Sequence, residues 1–131
     1  MRHAAPKKLR DYIQSPAIQR KWSREVRARD GFQCAFEVKV GNRWIVCGSK
    51  GTVERGFYKG VFACHIIPRA SSGVAAFSII NGITGCHHCH QIYDRNTLGK
   101  VCCQVRVPLR RYEAAFKAVS FACTYPPKRR Q

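Results

Sequence analysis

The chain has 131 residues, with 24 Lys plus Arg against 7 Asp plus Glu, giving a formal charge of +17 and a pI near 10.2. That length suits one domain, and 45% hydrophobic residues are enough for a core, which excludes wholesale disorder. Charges interrupt every apolar run short of the ~18–20 residues of a membrane span, and the first thirty residues hold no apolar leader core. The expectation is therefore a soluble intracellular protein with no membrane segment and no secretory signal. Eight cysteines in a reducing compartment point to metal ligation before a disulfide framework.

The charge is unevenly placed. Residues 1–30 carry nine basic groups and residues 101–131 carry seven, whereas residues 61–100 carry only Arg69, Arg95 and Lys100. Asp94 is the sole carboxylate between Glu54 and Glu113. A Cys- and His-rich middle is thus flanked by basic arms. Nucleic acid is the polyanion such a field attracts, with anionic lipid or plain solubility as the other readings of the charge.

In chain order, residues 1–14 read as a basic arm. Ser15-Pro16 opens a helix over 16–29 that buries the stripe Ile18, Trp22, Val26, with Arg20, Lys21, Arg24 and Arg27 opposite. That cationic face is either solvated or in contact with phosphate. Asp30-Gly31 ends the helix. Residues 36–40 and 43–47 alternate as strands about a Gly41-Asn42 turn. If Val40 pairs with Arg43, Phe36 lies opposite Cys47, and Cys34 joins Cys47 at the hairpin's open end. Residues 48–60 read as glycine-rich loop with one short strand at most. Val61 to Ile67 is a buried strand stopped by Pro68. A loop over 69–76 follows, then a second strand over 77–80, a tight turn at Asn81-Gly82 and a helix over 86–96. Val101, Cys103, Val105 and Val107 alternate as a further strand. Pro108 opens a last helix with Leu109, Tyr112, Phe116 and Val119 on one face, ended by Pro126-Pro127.

Cys34 and Cys47 across the hairpin, with the CxxC pair Cys86 and Cys89, suit a structural tetrahedral zinc site, buried free thiols being the alternative for the first two. Zinc would also help a small domain compensate for a modest core. His90 and Asp94 stand one helical turn apart, so both can reach one hard divalent ion. His87 is a weaker rival ligand. Cys102, Cys103 and Cys123 read as buried thiols. Arg69 and Arg95 flank this centre, and Lys128, Arg129 and Arg130 form a basic tail that adds non-specific affinity.

The run Cys64-His65-Ile66-Ile67-Pro68-Arg69, then Asn81-Gly82-Ile83-Thr84, then Cys86-His87-His88-Cys89-His90 resembles the HNH endonuclease motif. Arg29 to Cys34 resembles the entry to that family's first zinc knuckle, so the likeness covers roughly residues 27–96. In size the chain is similar to small phage- and prophage-encoded nucleases. The resemblance implies a single α+β domain, with a ββα-metal, treble-clef-like zinc-knuckle core over 27–96. N- and C-terminal helices would flank it, with a strand and helix over 97–125 and a tail over 126–131. It implies a metal-dependent endonuclease hydrolysing DNA to 5′-phosphate and 3′-hydroxyl ends. His65 would be its general base, Asn81 would hold the loop and orient the imidazole, and His90 with Asp94 would bind catalytic Mg²⁺ or Mn²⁺ beside the structural Zn²⁺. Such chemistry needs a base near neutrality and a Lewis acid. Family members often carry Asp or His before the base, where this chain has Cys64. That residue is either a packed thiol or a third ligand to a softer ion such as Ni²⁺ or Zn²⁺.

DNA is the partner so implied, contacted by Arg24, Arg27, Arg69, Arg95, Lys128 and Arg129, with a homodimer required if both strands are cut. The setting is the cytoplasm of a bacterial or phage-infected cell. The competing reading is a non-catalytic zinc-ribbon binder of nucleic acid, which needs the cysteines and the basic arms but has no use for His65, Asn81, His90 and Asp94.

Overall fold

The computed structural model describes residues 11, 14–55, 57–96 and 104–124, the side chains of 53, 54, 57, 58, 94–96 and 121–124 excepted. The chain is an α+β domain in which helices flank a strand-rich middle. Helix α1 (Pro16–Arg29) starts as its sequence dictates: the Ser15 hydroxyl accepts the Ile18 N–H at 3.3 Å and proline occupies the first turn. It buries Trp22 and Val26, and Trp22 Nε1 donates to the Ser78 carbonyl at 2.9 Å. Gly31 and Phe32 then turn the chain with positive φ, the Phe32 N–H bonding to the Arg27 carbonyl.

Strands β1 (Glu37–Val40) and β2 (Arg43–Val46) form the expected hairpin with Val40 opposite Arg43. A short hairpin of β3 (Thr52–Glu54) and β4 (Phe57–Lys59) follows, where the sequence reads as loop. Strands β5 (Val61–His65) and β6 (Gly82–Cys86) make the central antiparallel pair, with His65 opposite Gly82 and Val61 opposite Cys86. Between them run the single-turn helix α2 (Arg69–Ser72) and 3₁₀ turns at Gly73–Ala75 and Ile79–Asn81. Helix α3 (His87–Asn96) leaves β6 directly, and β7 (Val105–Arg106) pairs with the free edge of β1 before α4 (Leu109–Thr124). Residues 101–103 of the expected last strand, with Cys102 and Cys103, lie outside the described residues, as do the terminal tail and all of the N-terminal arm except Asp11 and Gln14.

Strand alternation splits the core in two. One face of the β5–β6 pair sends Cys64, Ile66 and Ile83 into a cluster with Cys34, Phe36, Cys89, Val105, Val107 and Ala115. The other face packs Ala63 against Trp22, Val26, Ala76 and Phe77. Two expectations need correcting. The 77–80 strand is a turn leading to a 3₁₀ segment, and Gly82 is the first residue of a strand, not the end of a turn. A Cβ there would collide with Val26 and lie 3.0 Å from the Trp22 ring, so the glycine lets α1 seat on the sheet.

Helix α4 buries Ala115 and Val119 but leaves Leu109, Tyr112 and Phe116 exposed. Arg111 of this helix forms an ion pair with Asp30 at 2.8 Å. Among the described residues no helix is long and apolar enough to cross a membrane.

Candidate functional site

The β1–β2 hairpin closes as its register requires, and its open end carries two cysteines. Cys47 N–H donates to the Phe36 carbonyl at 2.8 Å, Gly48 N–H to Cys34 O at 2.9 Å and Cys34 N–H to Ser49 O at 2.8 Å. The second pair comes from one continuous stretch: Cys86 ends β6 and Cys89 lies in the first turn of α3, its N–H donating to Cys86 Sγ at 3.4 Å. All four sulfurs lie within 4.8 Å of one another, with Cys47 Sγ and Cys86 Sγ 3.9 Å apart. These thiols are free, not bridged. A tetrahedral ion with Zn–S bonds of about 2.3 Å sets its sulfurs about 3.8 Å apart, so the cluster is close to the geometry a metal would impose.

The electrostatics match that reading. Burial pushes the Cys34 thiol up to about 12 and raises Cys89 as well, and like charge on neighbouring sulfurs adds to both. Burial acts upward on Cys47 too, but hydrogen bonds from Ser49 and from the Cys34 and Cys89 thiols outweigh it and hold the group at about 7. Thiols this crowded and buried do not ionise together without a cation among them. Cys34, Cys47, Cys86 and Cys89 are therefore a four-cysteine metal-binding cluster, as the hairpin register and the CxxC pair lead one to expect.

The two histidines expected to share a centre do not come together. His65 and His90 stand on opposite faces of the β5–β6 pair. His65 follows Ala63 onto the α1 face, where its ring stacks on Trp22 with centroids 4.2 Å apart and meets the edge of Phe77 at 5.7 Å. His90 lies on α3, and its ring sits 6.0 Å from that of Phe62, which points away from α1. The His65 Nε2 is buried without a hydrogen-bond partner. Burial lowers the His65 pKa, the Arg69 charge adds to this, and a backbone hydrogen bond with Ala76 opposes it.

Asn81 is fully buried and holds the loop rather than the imidazole. Its Oδ1 accepts the Ile67 N–H at 2.8 Å, and its Nδ2 donates to Ile67 O and Ser72 Oγ, each at 3.1 Å. Cys64 is a packed core thiol with its sulfur 3.8 Å from the Phe62 carbonyl. The Asp94 side chain lies outside the described residues. Among the described residues the metal-binding set is thus four thiolates joining a hairpin to a helix N-terminus, with no histidine or carboxylate in it. That overturns the HNH likeness, the ββα-metal core it implied, and with them the endonuclease, hydrolase and Mg²⁺ or Mn²⁺ expectations.

Of the residues expected to contact nucleic acid, Arg24, Arg27 and Arg69 are brought together with Arg20 along one cleft of about 710 Å³. The side chain of Arg95, together with Lys128 and Arg129, lies outside the described residues. The sequence reading missed Asp30 as more than a helix end. Its carboxylate accepts from Arg29 at 2.9 and 3.1 Å and from the Thr84 N–H at 2.9 Å, and it pairs with Arg111. Arg29 also donates to the Ile79 and Gly82 carbonyls at 2.6 and 2.7 Å, so one knot about the buried Asp30 carboxylate ties α1, β6 and α4. Its sequence signal is faint: a carboxylate next to an arginine in a chain with few acids.

Comparison with protein-family models, curated proteins and solved structures finds no match to this chain.

Proposed function

We propose that the chain is a non-catalytic, zinc-stabilised nucleic-acid-binding protein acting on DNA. The observation that carries this reading is the all-thiolate donor set. Four thiolates fill the tetrahedral shell of Zn²⁺ and leave no position for a water or a substrate, which is the arrangement of a structural site. Zn²⁺ is the ion because it favours sulfur and is content with four-coordination. In a reducing cytoplasm the thiols stay available to it. The metal clamps the hairpin to the start of α3, and the fold so held presents a charge of +17. Binding would then draw its free energy chiefly from release of counterions condensed on phosphates, with little dependence on sequence. The homodimer expected for cutting both strands has no further basis once cleavage is set aside.

The test is incubation with supercoiled plasmid in Zn²⁺, Mg²⁺ or Mn²⁺, analysed before and after proteinase treatment. A mobility shift that disappears on proteolysis, leaving plasmid still supercoiled, supports the reading. Nicked or linear product in any metal, or no shift at low salt, contradicts it.

A further inference from the structure

We propose that the cleft between α1 and β5 is the site that grips the phosphate backbone of the nucleic acid, with Arg20, Arg24, Arg27 and Arg69 as its cationic lining. This deepens the function proposed above and rests on it. Three of the four come from one helix at positions i, i+4 and i+7, the spacing that puts side chains on a common face. Arg69 enters from α2 on the other side, and Ala63 and His65 of β5 complete that wall.

Like charges at that helical spacing repel, so the arrangement is unfavourable for the empty helix and becomes favourable when an anion lies among them. Among the described residues Glu25 pairs with Lys21 at 3.9 Å and Asp30 with Arg29 and Arg111, while Arg27 Nε donates to the Ser23 carbonyl at 3.1 Å, which holds that side chain along its own helix. Planar guanidiniums match phosphate oxygens two at a time. The volume, about 710 Å³, exceeds what a lone phosphate fills and admits a stretch of sugar-phosphate chain.

Base stacking is not the mode of capture. Trp22 and Phe77 line the cleft but are 6% and 8% exposed, and the face of Trp22 is already covered by His65. What the cleft offers is charge, and the ligand is a phosphate oxyanion. His65, with Nε2 buried beside the arginines, is a spectator placed to sense it. Arg69 is the charged group whose field reaches that ring, and Arg20, Arg24 and Arg27 of α1 line the same cleft.

The test compares full-length zinc-loaded wild type, Arg24→Ala/Arg69→Ala and the control pair Lys39→Ala/Arg43→Ala, which removes two equally basic groups from the β1–β2 hairpin. Affinity for a short fluorescein-labelled duplex is measured by anisotropy across a salt series, with circular dichroism and metal content confirming the fold. The cleft pair is expected to lose more than tenfold in affinity and to flatten the log–log salt slope by about 2, roughly 1 per phosphate contact. The control pair should change affinity less than threefold.

Equal losses for both pairs, or none for the cleft pair, overturn the inference while leaving DNA binding intact. No binding by wild type at low salt overturns the function itself. A second arm follows the His65 ring resonances by NMR during titration with the duplex and with inorganic phosphate. Shifts with the duplex that the cleft variant lacks support the site. Shifts with inorganic phosphate alone assign the cleft to a free anion and overturn its nucleic-acid role.

Discussion

Cys47 and Cys86, 39 residues apart, bring their sulfurs to 3.9 Å and so join the β1–β2 hairpin to the helix that follows β6. A metal ion among the four thiols would make this contact permanent. Zinc-loaded protein should contain one Zn²⁺ per chain by elemental analysis. Cys47→Ser or Cys89→Ser should abolish stoichiometric metal and unfold the domain, since structural zinc supplies free energy of order 10 kcal/mol against a total stability of about 5–15 kcal/mol. Metal uptake releases the protons of Cys34 and Cys89, whose thiols are held protonated by burial, so affinity for zinc falls as pH falls. A thiolate-sensitive absorbance titration at two pH values measures this.

Asp30 is 1% exposed in its side chain and bound by two arginines. Asp30→Asn keeps the volume and leaves Arg29 and Arg111 without their counter-ion, which should cost about 3 kcal/mol in urea unfolding. Burial acts to raise the Asp30 pKa, but hydrogen bonds from Arg29, Thr84 and Arg111 prevail and hold it below 3.8. Its contribution is therefore complete above the unfolded carboxylate pKa and is lost as pH falls through the lower folded value. The gap between wild type and variant should be constant above about pH 5 and shrink below about pH 4.

Gly82→Ala should destabilise by about 1–3 kcal/mol, because the added methyl collides with Val26 beneath α1. Val26→Ala in the same chain should recover part of that loss, a non-additivity that thermal unfolding of the two single variants and the double variant detects.

His65 has a folded pKa below its free value of 6.5, chiefly through burial. The unfolded chain thus binds more protons there, and this residue's effect on stability improves as pH rises towards 6.5 and worsens as pH falls through the folded pKa. His65→Phe, which keeps an aromatic ring on Trp22, should remove that part of the pH dependence, which sets in as pH falls below about 6.5. Plasmid should stay supercoiled with either protein, as expected of a packing residue.

Much of this was legible in the residues. Ser15-Pro16 and the Ile18, Trp22, Val26 stripe place α1, and the alternation about Gly41-Asn42 places the first hairpin with its register. That register carries Cys34 to Cys47, and the CxxC pair supplies Cys86 and Cys89, so all four ligands were legible in local patterns. What failed depends on packing between distant segments. Asn81-Gly82 has the composition of a turn, and only the arrival of α1 explains why a strand begins there with glycine. Leu109, Tyr112 and Phe116 form an apolar stripe, yet they stay exposed while α4 buries Ala115 and Val119 and pairs Arg111 with Asp30. Linear motif order placed His65, Asn81 and His90 in one site. Strand alternation at Phe62, Ala63, Cys64 and His65 puts the two histidines on opposite faces.

A metal-held fold that binds DNA without cutting it is tested most directly by duplex anisotropy recorded while a chelator withdraws metal from the wild-type protein, with circular dichroism followed on the same samples. Folded signal and affinity should be lost together, both should return with Zn²⁺, and the duplex should be recovered whole. Undiminished affinity from metal-free folded protein, or cleaved duplex at any point, would contradict this.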